Sequence, residues 1–529
     1  MNNNQYTNPY PPGYNAQPGF NFNQQNDFQN PPQGGYDAYT KPMHPPPPVP
    51  EYGVAPDQFG QPGQANIKYN KTPKFRDLWA AILFLAFFGL FVVLAVLFIS
   101  AMPSGSSKPT SVSSTFLTSK NYITLGSVIV VSFVISILYL FLCKAFPYGI
   151  IVCSFWFSVL FFLATGIYYI FAKIYFAGAL LILFSLLYAF SWRGWKRAIP
   201  FTKLILQNVL QVITKFPSTI VLTIFWSILA IAFNTLWVVT LTSAPNYMEK
   251  YQTCTTKTDS NGNTYRSCSN TNLVLTYVFL AFIYFWTIQV IFNVLHTAIC
   301  GLFATYYFFD GTPEGYPTKH PLLASLGRAS TYSFGSICFG SLIVAIIQTI
   351  RAILNYIRHS DDNNIITSIL IVCADCILSC IEALVEYFNK YAYIEIAIYG
   401  KPFMQAAKDT WHLIKERGIE ALINDSLINN VILMGSFMTG VICALLTYIL
   451  ARVINTSLAS NSSYLVGFTF VGFIFGASVF TTINGVVQSG ASATFVCLAE
   501  DPYAIARNKP ELFSQIAEHY PDVVRGIHY

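Results

Sequence analysis

Residues 78–100 read LWAAILFLAFFGLFVVLAVLFIS, an unbroken run without a charge. A helix of about 18 or more apolar residues is long enough to cross the hydrocarbon core of a bilayer. Comparable runs recur at about 123–143, 149–171, 175–192, 218–241, 273 onward, 333–350, 365–388, 431–454 and 464–487, so the pattern predicts ten spans. Composition agrees: of 529 residues 54% are apolar and 10% charged, with mean hydropathy +0.48, against about 25% charged residues in soluble domains. A water-soluble protein is excluded, and the fold class expected is all-α, a polytopic helical membrane protein with the lipid bilayer as its solvent. The net charge of +6 is small for this length and lies largely beside the spans, so nothing points to nucleic acid.

Residues 1–70 contrast with this body. They hold 14 of the 28 prolines, no cysteine and many Asn, Gln, Tyr and Gly residues without periodicity, the composition of a disordered tail. The expected organisation is therefore a tail over 1–70, a ten-span transporter domain over 71–495 and a C-terminal tail over 496–529. No secretory signal precedes the first span, which then serves as the insertion signal. Lys68, Lys71, Lys74 and Arg76 flank that span and place the N-terminal tail in the cytoplasm. Within the tail, Pro11-Pro12-Gly13-Tyr14 fits a Pro-Pro-x-Tyr pattern, and Val49-Pro50-Glu51-Tyr52 is a looser relative. Such preformed polyproline II segments are ligands for WW domains, which commonly belong to ubiquitin ligases. A Pro- and Tyr-rich tail also yields such tetrapeptides by composition alone, and both readings stand at this point.

Topology follows from charge and loop chemistry. Arg193, Lys196, Arg197, Lys203 and Lys215 make the most basic connection of the chain, which after four spans returns to the cytoplasm. Cys254 and Cys268 flank a hydrophilic loop centred on Asn261-Gly262-Asn263, whose turn chemistry brings the cysteines together and makes an external disulfide plausible. Asn455-Thr456-Ser457 and Asn461-Ser462-Ser463 are paired glycosylation sequons four spans later, hence on the same side. Ten spans with both termini in the cytoplasm satisfy these constraints, although Arg351, Arg358 and His359 then fall on an external connection. In the last span Gly472 and Gly476 form a Gly-x-x-x-Gly face suited to close helix packing.

The intramembrane charges carry the chemistry. No acidic residue occurs between Asp77 and Glu249, whereas the eighth span holds Asp375, Glu382 and Glu386. At about 100° per residue these three fall within about 40° of one helical face. An ionised carboxylate at mid-bilayer costs at least about 2.5 kcal/mol, so such residues face a bundle interior or a wet cavity. One reading is a cation pathway. In the other, Asp375 and Glu386 reach water at opposite ends and Glu382 alone is deep. Trp226, Trp237 and Trp286 lie in the fifth and sixth spans. A carboxylate with aromatic faces, Trp286 among them, is what a quaternary ammonium ion requires, since it has no N–H donor. Asn293 and His296 serve helix–helix hydrogen bonding more often than membrane acyl transfer. Cys373, Cys376 and Cys380 lack a second pair of ligands for a metal, and no Walker loop or zincin motif is present, so neither an enzyme nor a cofactor is expected.

Asn389-Lys390-Tyr391-Ala392-Tyr393, Ile398-Tyr399-Gly400-Lys401-Pro402-Phe403 and Ala406-Ala407-Lys408-Asp409 together resemble the C-terminal signature of choline transporter-like proteins. Ala298 to Gly301, Phe334-Gly335-Ser336, Phe339-Gly340-Ser341 and Cys497-Leu498-Ala499-Glu500-Asp501 support the resemblance, which spans about residues 75–510. It implies a ten-span plasma-membrane carrier of choline or a related small organic cation. The family's Cys-x-Glu position matches Cys380-Ile381-Glu382, so the resemblance also selects Glu382. The chain lacks the large Cys-rich first external loop of animal members and adds the Pro/Asn/Gln tail, as in a fungal branch. A non-transporting membrane organiser that recruits partners through the tail is the alternative.

Overall fold

The computed structural model describes residues 74–101, 119–248, 254–258, 264–268, 271–360, 365–454 and 462–519. Pro11, Pro12, Tyr14, Asn455 and Asn461 lie outside these described residues. The first six helices are α1 (Leu78–Ser100), α2 (Ser119–Ala145), α3 (Pro147–Phe171), α4 (Tyr175–Phe190), α5 (Trp192–Lys215) and α6 (Ser218–Met248). A hairpin of β1 (Cys254–Thr258) and β2 (Thr264–Cys268) leads into α7 (Thr271–Phe309), α8 (Pro321–Ser330), α9 (Phe334–Ser360) and α10 (Ile365–Tyr399). The chain continues through α11 (Phe403–Ile454), α12 (Ser462–Glu500), α13 (Pro502–Asn508) and α14 (Pro510–His519).

Eight described helices are long and apolar enough to cross a membrane, and the pair α4 and α5, bent by 59°, counts jointly as a ninth. The tenth expected span is α10, 35 residues long and set apart by Asp375, Glu382 and Glu386 within its apolar stretch. Bilayer-facing surface is evident on α1, α3 and α4, where Leu85, Val93, Phe162, Phe176 and Phe184 are exposed. The tight hairpin expected around Lys173 is present, with Lys173 itself in the left-handed region at φ 64°. The expected close helix face is also present: a side chain on Gly476 would overlap Cys443 of α11, at 2.5 Å from its Cβ.

The basic connection after the fourth span is not a loop. Residues 192–215 form α5, which buries Ile199, Phe201, Ile205, Leu206, Val209, Val212 and Ile213. These apolar positions recur every three or four residues, the period of a one-sided helix, and Lys and Arg occupy the other side. Charge drew attention in this segment, but the buried stripe decides its structure.

Four helices overrun the membrane. At about 1.5 Å per residue, the 39 residues of α7 and of α12 extend to about 58 Å, and the 52 of α11 to about 78 Å, against a hydrocarbon core of about 30 Å. With α10 they join α5 in one apolar core that includes Leu302, Phe303, Ile394, Leu413, Ile428, Val496 and Leu498. Polar clasps tie the ends. Asp77 Oδ2, ahead of α1, accepts from Ser336 Oγ of α9 at 2.6 Å and from the Phe403 N–H opening α11 at 2.8 Å. Arg76 Nε donates to Gly400 O after α10 at 3.2 Å. Tyr307 of α7 donates to Asp501 O after α12 at 2.8 Å. The starts of the first, seventh and ninth spans thus meet the end of the eighth, which Tyr399 joins through Glu500 to the end of the tenth, and the tenth meets the end of the sixth. That is the arrangement an even number of spans requires.

The segment after residue 495, expected as a tail, completes α12 and then packs through α13 and α14. Ala504, Ile505 and Ile516 are buried in the same core. Asp310 fastens them: it meets Lys215 Nζ at 2.5 Å and Lys509 Nζ at 3.0 Å, and Lys509 also lies 3.4 Å over the Tyr306 ring. Burial alone would raise the Asp310 carboxyl, but Lys215, Tyr316 and Lys509 together hold it down to about 2. A depressed carboxylate stabilises above its ordinary range, so this clasp loosens only as pH falls from about 4 toward 2.

On the opposite end, β1 and β2 pair antiparallel with Cys254 in register with Cys268. Opposed residues in such a pair have Cα atoms about 4.5–5.5 Å apart, within the range a disulfide bridges. Protein purified without reductant is expected to resist alkylation at both cysteines until it is reduced. Free alkylation of both before reduction would show that the hairpin holds unpaired thiols.

Candidate functional site

The carboxylate stripe of α10 faces α9 and α7. Gln348 and Arg351, three residues apart on α9, occupy one helical face, and that face meets the acids. Arg351 Nε lies 2.8 Å from Asp375 Oδ1, and its Nη1 pairs with Glu382 Oε2. Gln348 Nε2 donates to Glu382 Oε1 at 2.8 Å and more weakly to Glu386 Oε1 at 3.5 Å. From α7, Gln289 Nε2 donates to Glu386 Oε1 at 3.1 Å. The Glu382 side chain keeps 12% of its surface against 29% for Asp375, and Glu386 is exposed, so Glu382 is the deepest carboxylate of the stripe.

Charge does not cancel here. One arginine meets two acids, and among the described residues Glu386 makes no ion pair. With all three acids ionised, the group carries two negative charges in excess. The Oε1 of Gln348 is buried and accepts no hydrogen bond, which leaves an acceptor beside the carboxylates.

Arg351 is the residue that the sequence placed wrongly. The apolar run ends at Ile350, which on the sequence alone puts Arg351 on an external connection. Helix α9 continues to Ser360, and the arginine turns toward α10. Its three-residue spacing from Gln348, on a helix adjoining one with three acids, is the signal that identifies it.

Trp286 lies elsewhere in the packing. It is fully buried, its indole donates to Cys338 O at 3.0 Å, and its ring meets Phe84 at 5.3 Å, Phe87 at 5.9 Å and Phe282 at 5.5 Å. None of the contacts described for Trp286 reaches a carboxylate. Asn293, two turns toward the overhang, donates to Ser341 Oγ of α9 at 2.9 Å. His296 bonds Ser489 Oγ at 2.8 Å and Lys390 O at 3.1 Å, which is the helix-to-helix use expected of it. Cys373, Cys376 and Cys380 are exposed on the isolated chain and so do not pack within the bundle.

Below the stripe, the family-like signature residues build a second polar layer. Asp425 of α11 accepts from Lys390 Nζ at 2.9 Å, Tyr391 OH at 2.7 Å and Ser492 Oγ at 2.8 Å. Further out, Lys401 Nζ lies 2.8 Å from Glu395 Oε2. Burial, and after it the neighbouring Glu500 carboxyl, push Glu395 well above the ordinary carboxylate range, while Lys401 opposes them. Lys390, Tyr391 and Glu395 therefore lock α10 to α11 and α12 rather than face the stripe.

Residues 176–503 match the family model described as "Plasma-membrane choline transporter". The chain belongs to this choline transporter family. It is also similar to Protein PNS1 of Kluyveromyces lactis, 34% identical over 87% of this chain and 84% of that protein. Protein PNS1 of Mycosarcoma maydis is 33% identical over 96% of this chain and 95% of its own length, and that of Saccharomyces cerevisiae is 32% identical over 87% and 86%. The choline transporter match takes in α7, α9 and α10 whole, so Gln289, Gln348, Arg351, Asp375, Glu382 and Glu386 all lie within it.

If the pairing is energetically coupled, Arg351→Gln lowers the thermal stability of the purified protein, and adding Glu382→Gln recovers part of the loss. A coupling of about 1 kcal/mol is expected, below the ~3–5 kcal/mol of breaking a sealed pair because the arginine is partly exposed. Strictly additive effects of the two substitutions would dissolve the pair.

Proposed function

We propose that this member of the family carries choline or a related small organic cation across the plasma membrane, as a solute carrier with both termini in the cytoplasm. Glu382, flanked by Asp375 and Glu386, supplies the negative charge of the substrate site. The observation that carries this reading is Arg351 itself: a cation already sits against the carboxylates of α10. A substrate cation entering this group competes with the guanidinium for Glu382 and meets the unpaired Glu386. A quaternary ammonium ion forms no hydrogen bond through nitrogen, so Coulomb attraction and aromatic faces must hold it. A hydroxyl on the same molecule, as in choline or ethanolamine, has an acceptor in Gln348 Oε1.

Trp286 joins such a site only when the contact of α7 with α1 and α9 opens, because Phe84, Phe87 and Phe282 now surround its ring. That opening is the kind of step by which a carrier exchanges access between two sides. The hairpin of Cys254 and Cys268 then faces the cell exterior, together with Asn455 and Asn461 as glycan acceptors. Pro11, Pro12 and Tyr14 offer a WW-domain ubiquitin ligase its ligand on the cytoplasmic side.

Uptake of labelled choline and ethanolamine into liposomes containing the purified protein tests the proposal. Glu382→Gln leaves the protein folded and removes one partner of a desolvated charge. The expected cost is about 2 kcal/mol or more, roughly a thirtyfold loss of transport. Wild-type uptake by this variant removes Glu382 from the site, and no uptake of either cation by the wild type removes the substrate class.

A further inference from the structure

The elbow between α4 and α5 joins two surfaces of opposite character. Up to its last residue α4 shows lipid-facing side chains, with Phe184, Leu187 and Phe190 all exposed. Helix α5 turns away by 59° and carries Arg193, Lys196, Arg197 and Lys203. At about 100° per residue these four fall within about 120° of one helical face. The opposite face holds Ile205, Leu206, Val209 and Ile213, which enter the core. Arg193, Lys196 and Arg197 are exposed, and none of the four cations makes an ion pair among the described residues. No acidic residue occurs between Asp77 and Glu249, so the helices from α2 to α6 bring no carboxylate to the elbow before Glu249.

Two observations set these charges at the level of phospholipid headgroups. The first is their position along α5. With α4 near the bilayer normal, the 59° bend makes the roughly 15 Å from Arg193 to Lys203 advance only about 8 Å along the normal, close to the depth of one headgroup layer, about 5–8 Å. Gln207 and Gln211 continue the same face without charge, and the next cation, Lys215, meets Asp310. The unpaired charges are thus confined to the stretch nearest the lipid-facing end of α4. The second observation is aromatic. Trp156 and Trp192 meet at 5.5 Å, Trp195 lies 5.4 Å from Tyr188, and the Arg193 guanidinium lies 5.9 Å from the centroid of the Phe190 ring. Tryptophan and tyrosine gathered at the end of a lipid-facing helix form the belt of a membrane interface.

We propose that this face of α5 binds the headgroups of anionic phospholipids, with Arg193, Lys196 and Arg197 as its contacts. Guanidinium and ammonium groups donate to phosphate and carboxylate oxygens in charge-assisted hydrogen bonds. Basic clusters on an amphipathic helix attract an anionic leaflet, and each cation near the surface is worth about fivefold in lipid preference. A zwitterionic headgroup presents its own ammonium to the same cations, so the face discriminates between lipid classes. The carboxylates of α10 take no part, and the inference does not rest on the transport proposal.

The test uses the full-length protein in phosphatidylcholine bilayers that contain increasing fractions of brominated phosphatidylserine or, in parallel, brominated phosphatidylcholine. Bromine quenches tryptophan fluorescence on contact, and Trp156, Trp192 and Trp195 report from the elbow. Half-maximal quenching is expected at a fraction at least about tenfold lower for the serine lipid than for the choline lipid. The triple substitution Arg193→Gln, Lys196→Gln and Arg197→Gln is expected to bring the two within about twofold. Salt at about 1 M, where the Debye length falls to about 3 Å, is expected to do the same for the wild type. The charge-preserving pair Arg193→Lys and Arg197→Lys keeps the preference. Equal quenching of the wild type by both lipids overturns the proposal, and polyglutamate binding in that case assigns the face to an acidic protein instead. A preference that survives high salt overturns it as well, whether or not the triple variant folds. So does a preference unchanged in the folded triple variant, or lost equally when Lys319, Lys408 and Lys415 are replaced by Gln in its place.

Discussion

A carboxylate inside a membrane must be met by a positive charge, a hydrogen-bond donor or water, because the hydrocarbon supplies none of them. Helix α10 brings three such groups, and Arg351, Gln348 and Gln289 answer them from two neighbouring helices. The placement of α9 against α10 and α7 follows from that demand as much as from apolar packing, since lipid competes equally for apolar side chains but offers nothing to an acid. The excess of negative charge is what distinguishes the group from a structural ion pair.

The overhanging ends of α7, α10, α11 and α12 give this group a rigid support. Their shared core and the Asp425 and Asp310 clasps sit on one side of the stripe. On the other side the described helices α1, α6 and α7 share a smaller cluster around Phe91, Phe98 and Phe233. At the contact of α1 with α7, by contrast, flat rings rather than ion pairs join the helices.

Most of the span pattern was legible because runs such as 78–100 contain no residue that another environment would accept. The acidic stripe was legible because the spacing of Asp375, Glu382 and Glu386 puts them on one helical face, although that spacing alone left open whether the outer two reach water separately. Helix α5 was not, because its five basic residues obscured an apolar period that only burial against α11 and α12 reveals. Arg351 was missed because a charge at the end of an apolar run marks a membrane boundary unless a partner draws it inward, and partners are a property of the fold. Trp286 shows the converse: an aromatic in one span that cation chemistry pairs with carboxylates in another belongs to a different junction once the helices pack.

The central claim is that the carboxylates of α10 form the cation site and that Arg351 occupies it in the absence of substrate. A cryo-electron-microscopy structure of the full-length protein with millimolar choline tests this directly, set against one without it. The account predicts density for the cation between Glu382, Glu386 and Gln348, with the Arg351 side chain withdrawn from Glu382. Choline bound elsewhere, with the Arg351 pairs intact, would contradict it.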